Sequence, residues 1–117
     1  MQYVDGYVLP VPKKKLKTYA RMANFGKKMW MKYGALDYKE CVGNDLKKKW
    51  GTPFTRIMRS KPGETVVFAY IVFKSRAHRD KVNVRVMKEM EKMKAPKDMP
   101  FDPKRMVYGG FKAIVEA

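Results

Sequence analysis

The sequence predicts one α+β domain, an antiparallel sheet with two helices on one of its sides. Three observations carry that expectation. Hydrophobic spacing switches between a period of two and a period of about 3.6 in the order strand, helix, strand, a short strand, strand, helix, strand. The strongest of these strands is apolar on both faces. The chain has 117 residues, 45% of them hydrophobic, which suffices for one core and is too little for two.

Residues 3–11 alternate aromatic or aliphatic side chains with small ones and are closed by Pro10 and Pro12, so they read as the first strand. From Lys13 the spacing changes. Leu16, Tyr19, Ala20, Ala23, Lys27, Trp30 and Tyr33 recur every three or four residues with cations between them, an amphipathic helix of roughly 20 residues. Gly34 suits the left-handed position just beyond its end. Residues 36–42 return to alternation and stop at the turn Gly43-Asn44-Asp45.

Residues 46–53, with Lys47-Lys48-Lys49-Trp50-Gly51, read as an exposed loop leading to the short strand at 54–58. Lys61-Pro62-Gly63-Glu64 is a turn signal. Residues 65–73 are dense in β-branched and aromatic side chains and form the strongest strand. Ser75 is placed to cap a second helix, whose stripe Val82, Val86, Met90 and Met93 runs to about Lys94 and stops at Ala95 and Pro96. A proline-rich connection over 96–103 precedes a last strand at 105–115.

The order β-α-β-(β)-β-α-β is that of a ferredoxin-like sheet with both helices on one face. Along 65–73 one face carries Val66, Phe68, Tyr70 and Val72, and the other Val67, Ala69, Ile71 and Phe73. The last strand repeats this, with Met106, Tyr108 and Ile114 opposite Val107, Phe111 and Val115. Two helices cover one face only. The other is expected to meet the same face of a second copy, giving a homodimer, since each Phe or Ile left in water forgoes about 1.5–3 kcal/mol.

Lys and Arg number 27 against 11 Asp and Glu, a formal charge of +16. Eight of the cations, Lys13, Lys14, Lys15, Lys17, Arg21, Lys27, Lys28 and Lys32, fall within 13–34, which contains no acid. Such a helix attracts polyanions, and with Trp30, Tyr33 and nearby Trp50 it is a candidate surface for nonspecific nucleic-acid binding. The bland alternative is a solvated cationic face. The longest apolar run, 66–73, is far too short to cross a membrane, and the N-terminus lacks a basic then apolar leader, so a cytoplasmic protein without membrane partners is expected. Cys41 is the only cysteine and His78 the only histidine, so no internal disulfide and no Cys/His zinc set can form. Cys41 reads as a small core hydrophobe. Ten methionines, spaced helically at Met22, Met29, Met87, Met90 and Met93, read as packing rather than ligation. No metal or cofactor is expected.

Several long stretches, taken together and in order, resemble the YbaA-like family of uncharacterised bacterial proteins. They are Tyr3-Val4-Asp5-Gly6-Tyr7-Val8, Tyr33-Gly34-Ala35-Leu36 into Glu40-Cys41-Val42, Lys61-Pro62-Gly63-Glu64-Thr65-Val66-Val67-Phe68, Lys74-Ser75-Arg76-Ala77-His78-Arg79-Asp80-Lys81-Val82-Asn83, and Met99-Pro100-Phe101-Asp102-Pro103-Lys104-Arg105-Met106-Val107-Tyr108-Gly109-Gly110-Phe111. The resemblance spans essentially the whole chain. It implies the dimeric α+β barrel superfamily, in which two ferredoxin-like protomers pack sheet to sheet, and it supplies no established activity. The wider superfamily includes small monooxygenases, haem proteins and ligand-binding modules, so fold leaves function open.

Candidate chemistry is sparse. His78, in the first turn of the second helix, could act as a general base oriented by Asp80 or Asp102, although residues two apart on a helix do not face each other. Its neighbours also fit a structural role, Asp80 at the helix N-terminus and Arg76 and Arg79 in ion pairs with Asp102 or with a partner chain. Asp5, a carboxylate among apolar neighbours, could transfer a proton or pair with Arg105 or Lys104 across the sheet, and the pair is favoured. Gly109-Gly110 suggests a bulge or a close backbone approach. Tyr7, Arg79, Asp102, Arg105 and Tyr108 are the candidate residues for an anionic or aromatic ligand, with a packed dimer interface as the alternative. Three functions follow as expectations: a homodimeric small-ligand protein, a cofactor-independent monooxygenase-like enzyme using His78, Asp5 or Arg105, or an electrostatic polyanion binder.

Overall fold

The structure is a computed structural model that describes residues 1–94 and 97–117. Strand β1 (Tyr3–Pro12) leads through a 3-10 turn at Lys13–Lys15 into helix α1 (Leu16–Lys32), then β2 (Asp37–Val42), a single-turn helix α2 (Phe54–Ile57), β3 (Glu64–Phe73), helix α3 (Arg76–Glu91), a second 3-10 turn at Pro103–Arg105, and β4 (Val107–Lys112). The sheet order is β2-β3-β1-β4, antiparallel throughout. This is the ferredoxin-like arrangement that the spacing predicts. Pro10 and Pro12 are tolerated in a central strand because β4 pairs with β1 only from Tyr3 to Val8, so their missing N–H groups cost no bond on that side.

Register decides the two faces. Tyr3, Asp5, Tyr7, Leu9 and Val11 lie level with Phe73, Ile71, Ala69, Val67 and Thr65, and this face meets α1 and α3. Its core divides in two. Met29, Ala35, Ile71, Phe73, Val82 and Val86 form one cluster, and Leu9, Val11, Tyr19, Ala23 and Val67 the other. The opposite face carries Val4, Val8, Val72, Tyr70, Phe68, Val107 and Phe111. It stays open, with Phe68 on β3 and Val107 and Phe111 on the edge strand β4 45%, 55% and 63% exposed.

Local signals hold at the helix ends. Gly34 adopts φ +113° just beyond α1, a conformation that costs glycine nothing. The Ser75 Oγ accepts the His78 backbone N–H at 3.1 Å and caps α3. Four expectations change. Residues 54–58 form helix α2 and its cap instead of a strand: the β2 side of β3 is taken by β2 and then by Gly43, whose N–H donates to the Val66 carbonyl. Phe54 packs edge-on against Phe68 instead. The last strand is β4 alone, and Ile114 and Val115 lie beyond it, 80% and 86% exposed. Helix α3 closes at Glu91 with Lys92 as its cap; Ala95 and Pro96, where the spacing stops it, lie outside the described residues. Cys41 is exposed, not core, because its position in β2 is level with Phe68 on the open face.

Candidate functional site

The two core clusters do not meet fully, and a cavity of about 350 Å³ lies at their seam, between the sheet and the helices. Its walls are the rings of Tyr7, Tyr19, Trp30, Tyr38 and Phe101 and the thioethers of Met22, Met90, Met99 and Met106. Small residues of α1, Ala23 and Gly26, leave the space open. A second hollow of about 360 Å³ lies between α1 and the edge strand β2, beside Ala20, Asn24, Lys27 and Val42. Tyr19, Ala23, Tyr38 and Glu40 belong to both.

Glu40 is the polar centre of this region. It stands on β2 level with Ala69, with its side chain on the helix-facing side. The Tyr19 hydroxyl donates to one of its oxygens and the Tyr38 hydroxyl to the other, each at 2.6 Å. Burial first, and then these bonds to the carboxylate, hold both phenols well above their ordinary pKa, so at neutral pH they remain donors. The Trp30 indole N–H donates to Asn83 Oδ1 at 3.0 Å and ties this wall to α3. Glu40, Tyr19 and Tyr38 were not among the residues singled out by the sequence. The signal available was the parity of β2, which places one acid between Tyr38 and Val42 on the inward face.

A second polar cluster sits further along β1. Asp5 is fully buried, and the Arg79 guanidinium reaches its Oδ1 at 2.7 Å from α3. Arg79 also donates to Asp80 at 2.7 Å and to the Tyr108 hydroxyl at 3.2 Å, and it lies over the Tyr3 ring. Tyr108 stacks on Tyr7 with centroids 4.8 Å apart. Burial raises the Asp5 pKa, and the charge and hydrogen bond of Arg79 oppose the rise. The Asp5 Oδ2 has no hydrogen-bond partner. Asp5 lines neither cavity.

The expected partner of Asp5 is therefore corrected: it is Arg79, not Arg105 or Lys104. Arg105 makes a two-pronged pair with Glu64 at 2.6 and 3.0 Å and donates to the Arg59 carbonyl, beside the β1–β3 end. That pair holds the Glu64 carboxyl below its usual range. Asp102 accepts the Lys104 backbone N–H and opens the 3-10 turn. The expected ligand set thus separates into Tyr7, Tyr108 and Arg79 at one place and Asp102 and Arg105 at another. Both arginines are paired with carboxylates, Arg79 with Asp5 and Asp80 and Arg105 with Glu64. His78 is not oriented by Asp80 or Asp102: its Nδ1 accepts the Lys74 backbone N–H at 3.0 Å, and Asp80 is held by Arg79. Gly109 and Gly110 continue the ladder without a bulge, and the close approach is the part that holds, since a Cβ on Gly110 would collide with Tyr3.

Of the eight cations from Lys13 to Lys32, two are paired, Lys15 with Asp98 and Lys32 with Glu89. The other six have no ion pair among the described residues. Trp30 and Tyr33 are half-buried and both bond to α3, Trp30 through Asn83 and Tyr33 through Glu89. Trp50 is 93% exposed. Among the described residues, no three His, Cys, Asp or Glu side chains are grouped to hold a metal ion, and no helix is long and apolar enough to cross a membrane.

Known proteins resemble this chain along its length. A family described as "Protein of unknown function (DUF1428)" matches residues 2–103. The "Uncharacterized protein YbaA" of Escherichia coli strain K12 is 36% identical over 116 residues, covering 99% of each chain, and the proteins of that name in Escherichia coli O157:H7 and Shigella flexneri match equally. Among solved structures, "De novo designed protein Foldit4" superposes with a TM-score of 0.45 at 10% identity, over 99% of this chain and 100% of that one. By sequence, the chain belongs to the DUF1428 family of proteins of unknown function, and it is similar along its whole length to the YbaA proteins.

Proposed function

We propose that the protein is a homodimer that binds a small, mainly apolar ligand between its sheet and helices. The cavity at the core seam carries this: about 350 Å³ is within the range of small-molecule sites, and an apolar wall with one convergent polar group is their usual construction. A core of this size fills such a space when packing alone is at stake, because unfilled volume costs stability. The dimer is supported by the open sheet face, whose Phe68, Val107 and Phe111 are each about half exposed within the chain. A second copy offers the matching surface.

Titration with N-phenyl-1-naphthylamine, a neutral dye that brightens in apolar sites, tests the cavity. Saturable binding of one dye per chain that is lost in Gly26→Leu supports it; no saturable binding to the wild type ends it. Light scattering tests the dimer separately, with an expected mass of twice 13.7 kDa.

Polyanion binding through α1 is a second reading, favoured by the six cations that lack ion pairs. Such binding would rest mainly on phosphate contacts, with Trp50, 93% exposed, the ring open to a base. Binding that ignores nucleotide sequence and weakens steeply with salt is its signature, and sequence preference that survives high salt would contradict it.

A further inference from the structure

The chemistry of the cavity wall narrows the ligand further, granted that the cavity binds one. We infer that the ligand is a neutral aromatic molecule bearing a hydroxyl or N–H donor, stacked in the aromatic wall with that donor given to Glu40.

The carboxylate is the reason. Two oxygens offer about four acceptor positions, and Tyr19 and Tyr38 occupy one on each oxygen. The remaining positions can only accept. Both phenols are spent on Glu40, so the wall presents an anchored acceptor whose direction is set from two sides. Anchoring by two phenols also keeps Glu40 from turning away to water, which an unrestrained glutamate on an edge strand would do.

Charge excludes the other classes. No lysine or arginine lines the inner cavity, so an anionic ligand would face a carboxylate with no counter-charge in a low-dielectric setting. A cation would gain from Glu40 but must enter past a protein of charge +16, with Lys17, Arg21, Lys27 and Lys28 on the very helix that forms the wall. A neutral donor meets neither obstacle. Shape points the same way: Tyr7, Trp30, Tyr38 and Phe101 offer ring faces and edges, and methionine side chains adapt to an aromatic surface.

Four probes of one size separate these classes: naphthalene, 2-naphthol, 2-naphthoate and 2-(aminomethyl)naphthalene, titrated calorimetrically. The expected result is that 2-naphthol binds about tenfold tighter than naphthalene, as one hydrogen bond to a charged acceptor predicts, with the two ions weaker still. In Glu40→Gln the preference for naphthol over naphthalene should fall below about threefold. In Tyr38→Phe, which frees one Glu40 oxygen, it should persist or widen; should Glu40→Gln not fold, this variant decides, and a lost preference overturns the inference. If naphthalene and naphthol bind equally, or either ion binds as tightly as naphthol, the cavity stands and the inference about its ligand falls. If none of the four binds, the cavity reading itself has failed.

Discussion

Replacing Arg79 by alanine would strand the Asp5 carboxylate in the core, and the size of the loss should depend on pH in a calculable way. Asp5 is wholly buried, the Arg79 side chain is 13% exposed, and they meet at 2.7 Å. Removing one partner of such a pair costs about 3–5 kcal/mol, because the other charge stays buried without compensation. The protein can escape by protonating Asp5. From an ordinary pKa of 3.8, that costs about 1.36 kcal/mol per pH unit above it, or about 6 kcal/mol at pH 8 and about 1.6 kcal/mol at pH 5.

At pH 8 protonation is the dearer route and the full loss of about 3–5 kcal/mol remains. At pH 5 the electrostatic part cannot exceed about 1.6 kcal/mol. A further loss of about 0.5–1 kcal/mol, from the guanidinium that lies over Tyr3, is common to both conditions. In the wild type the raised pKa means that the folded state binds the proton more readily than the unfolded one. Asp5 therefore favours folding most below pH 3.8 and progressively less as pH rises through its folded pKa. In Arg79→Ala that decline extends to higher pH. Urea unfolding followed by circular dichroism, for wild type and variant at each pH, measures the difference directly. The Asp5→Asn background should abolish the pH dependence. Equal destabilisation at pH 5 and pH 8 would refute the buried-charge account and leave only lost packing.

Other outcomes follow from the same structure. Ser75→Ala removes the acceptor for the His78 N–H and should cost about 1 kcal/mol, or a Tm lower by roughly 4 °C in calorimetry; no change would mean that packing alone starts α3. Gly26→Ala should stabilise by about 0.5–1 kcal/mol, since its Cβ would stand at ordinary contact distance, 3.5 Å from the Tyr38 hydroxyl and 3.6 Å from Trp30. A loss in urea titration would show that the wall does not accept a methyl group. Phe111→Lys, on the open face, should halve the mass seen by light scattering with the circular dichroism unchanged, and a variant that remains dimeric would place the interface elsewhere.

Much of the fold was legible because it depends on local spacing. The period switch at Lys13, Gly34 beyond α1, Ser75 before α3 and the two-faced pattern of β3 are encoded within a few residues each, and the ferredoxin-like α+β class follows from them. The short strand expected at 54–58 failed for a non-local reason: Phe54, Thr55 and Ile57 have strand-forming side chains, but β2 and Gly43 occupy the edge they would need. Cys41 was misplaced because alternation identifies two faces without saying which one the helices cover.

The candidate site shows the same division. Composition and spacing alone established the α+β class, the strand that is apolar on both sides, the cationic α1 and the lack of a Cys/His metal set. Which charges meet was decided only by the tertiary structure. Asp5 and Arg79 are 74 positions apart, Arg105 and Glu64 are 41 apart, and Tyr19 and Glu40 are 21 apart. No periodicity links such residues, because a hydrogen bond between elements depends on how a helix seats on the sheet. That seating depends in turn on the summed volumes of side chains on both, and here it leaves the two clusters of the core unjoined around Glu40.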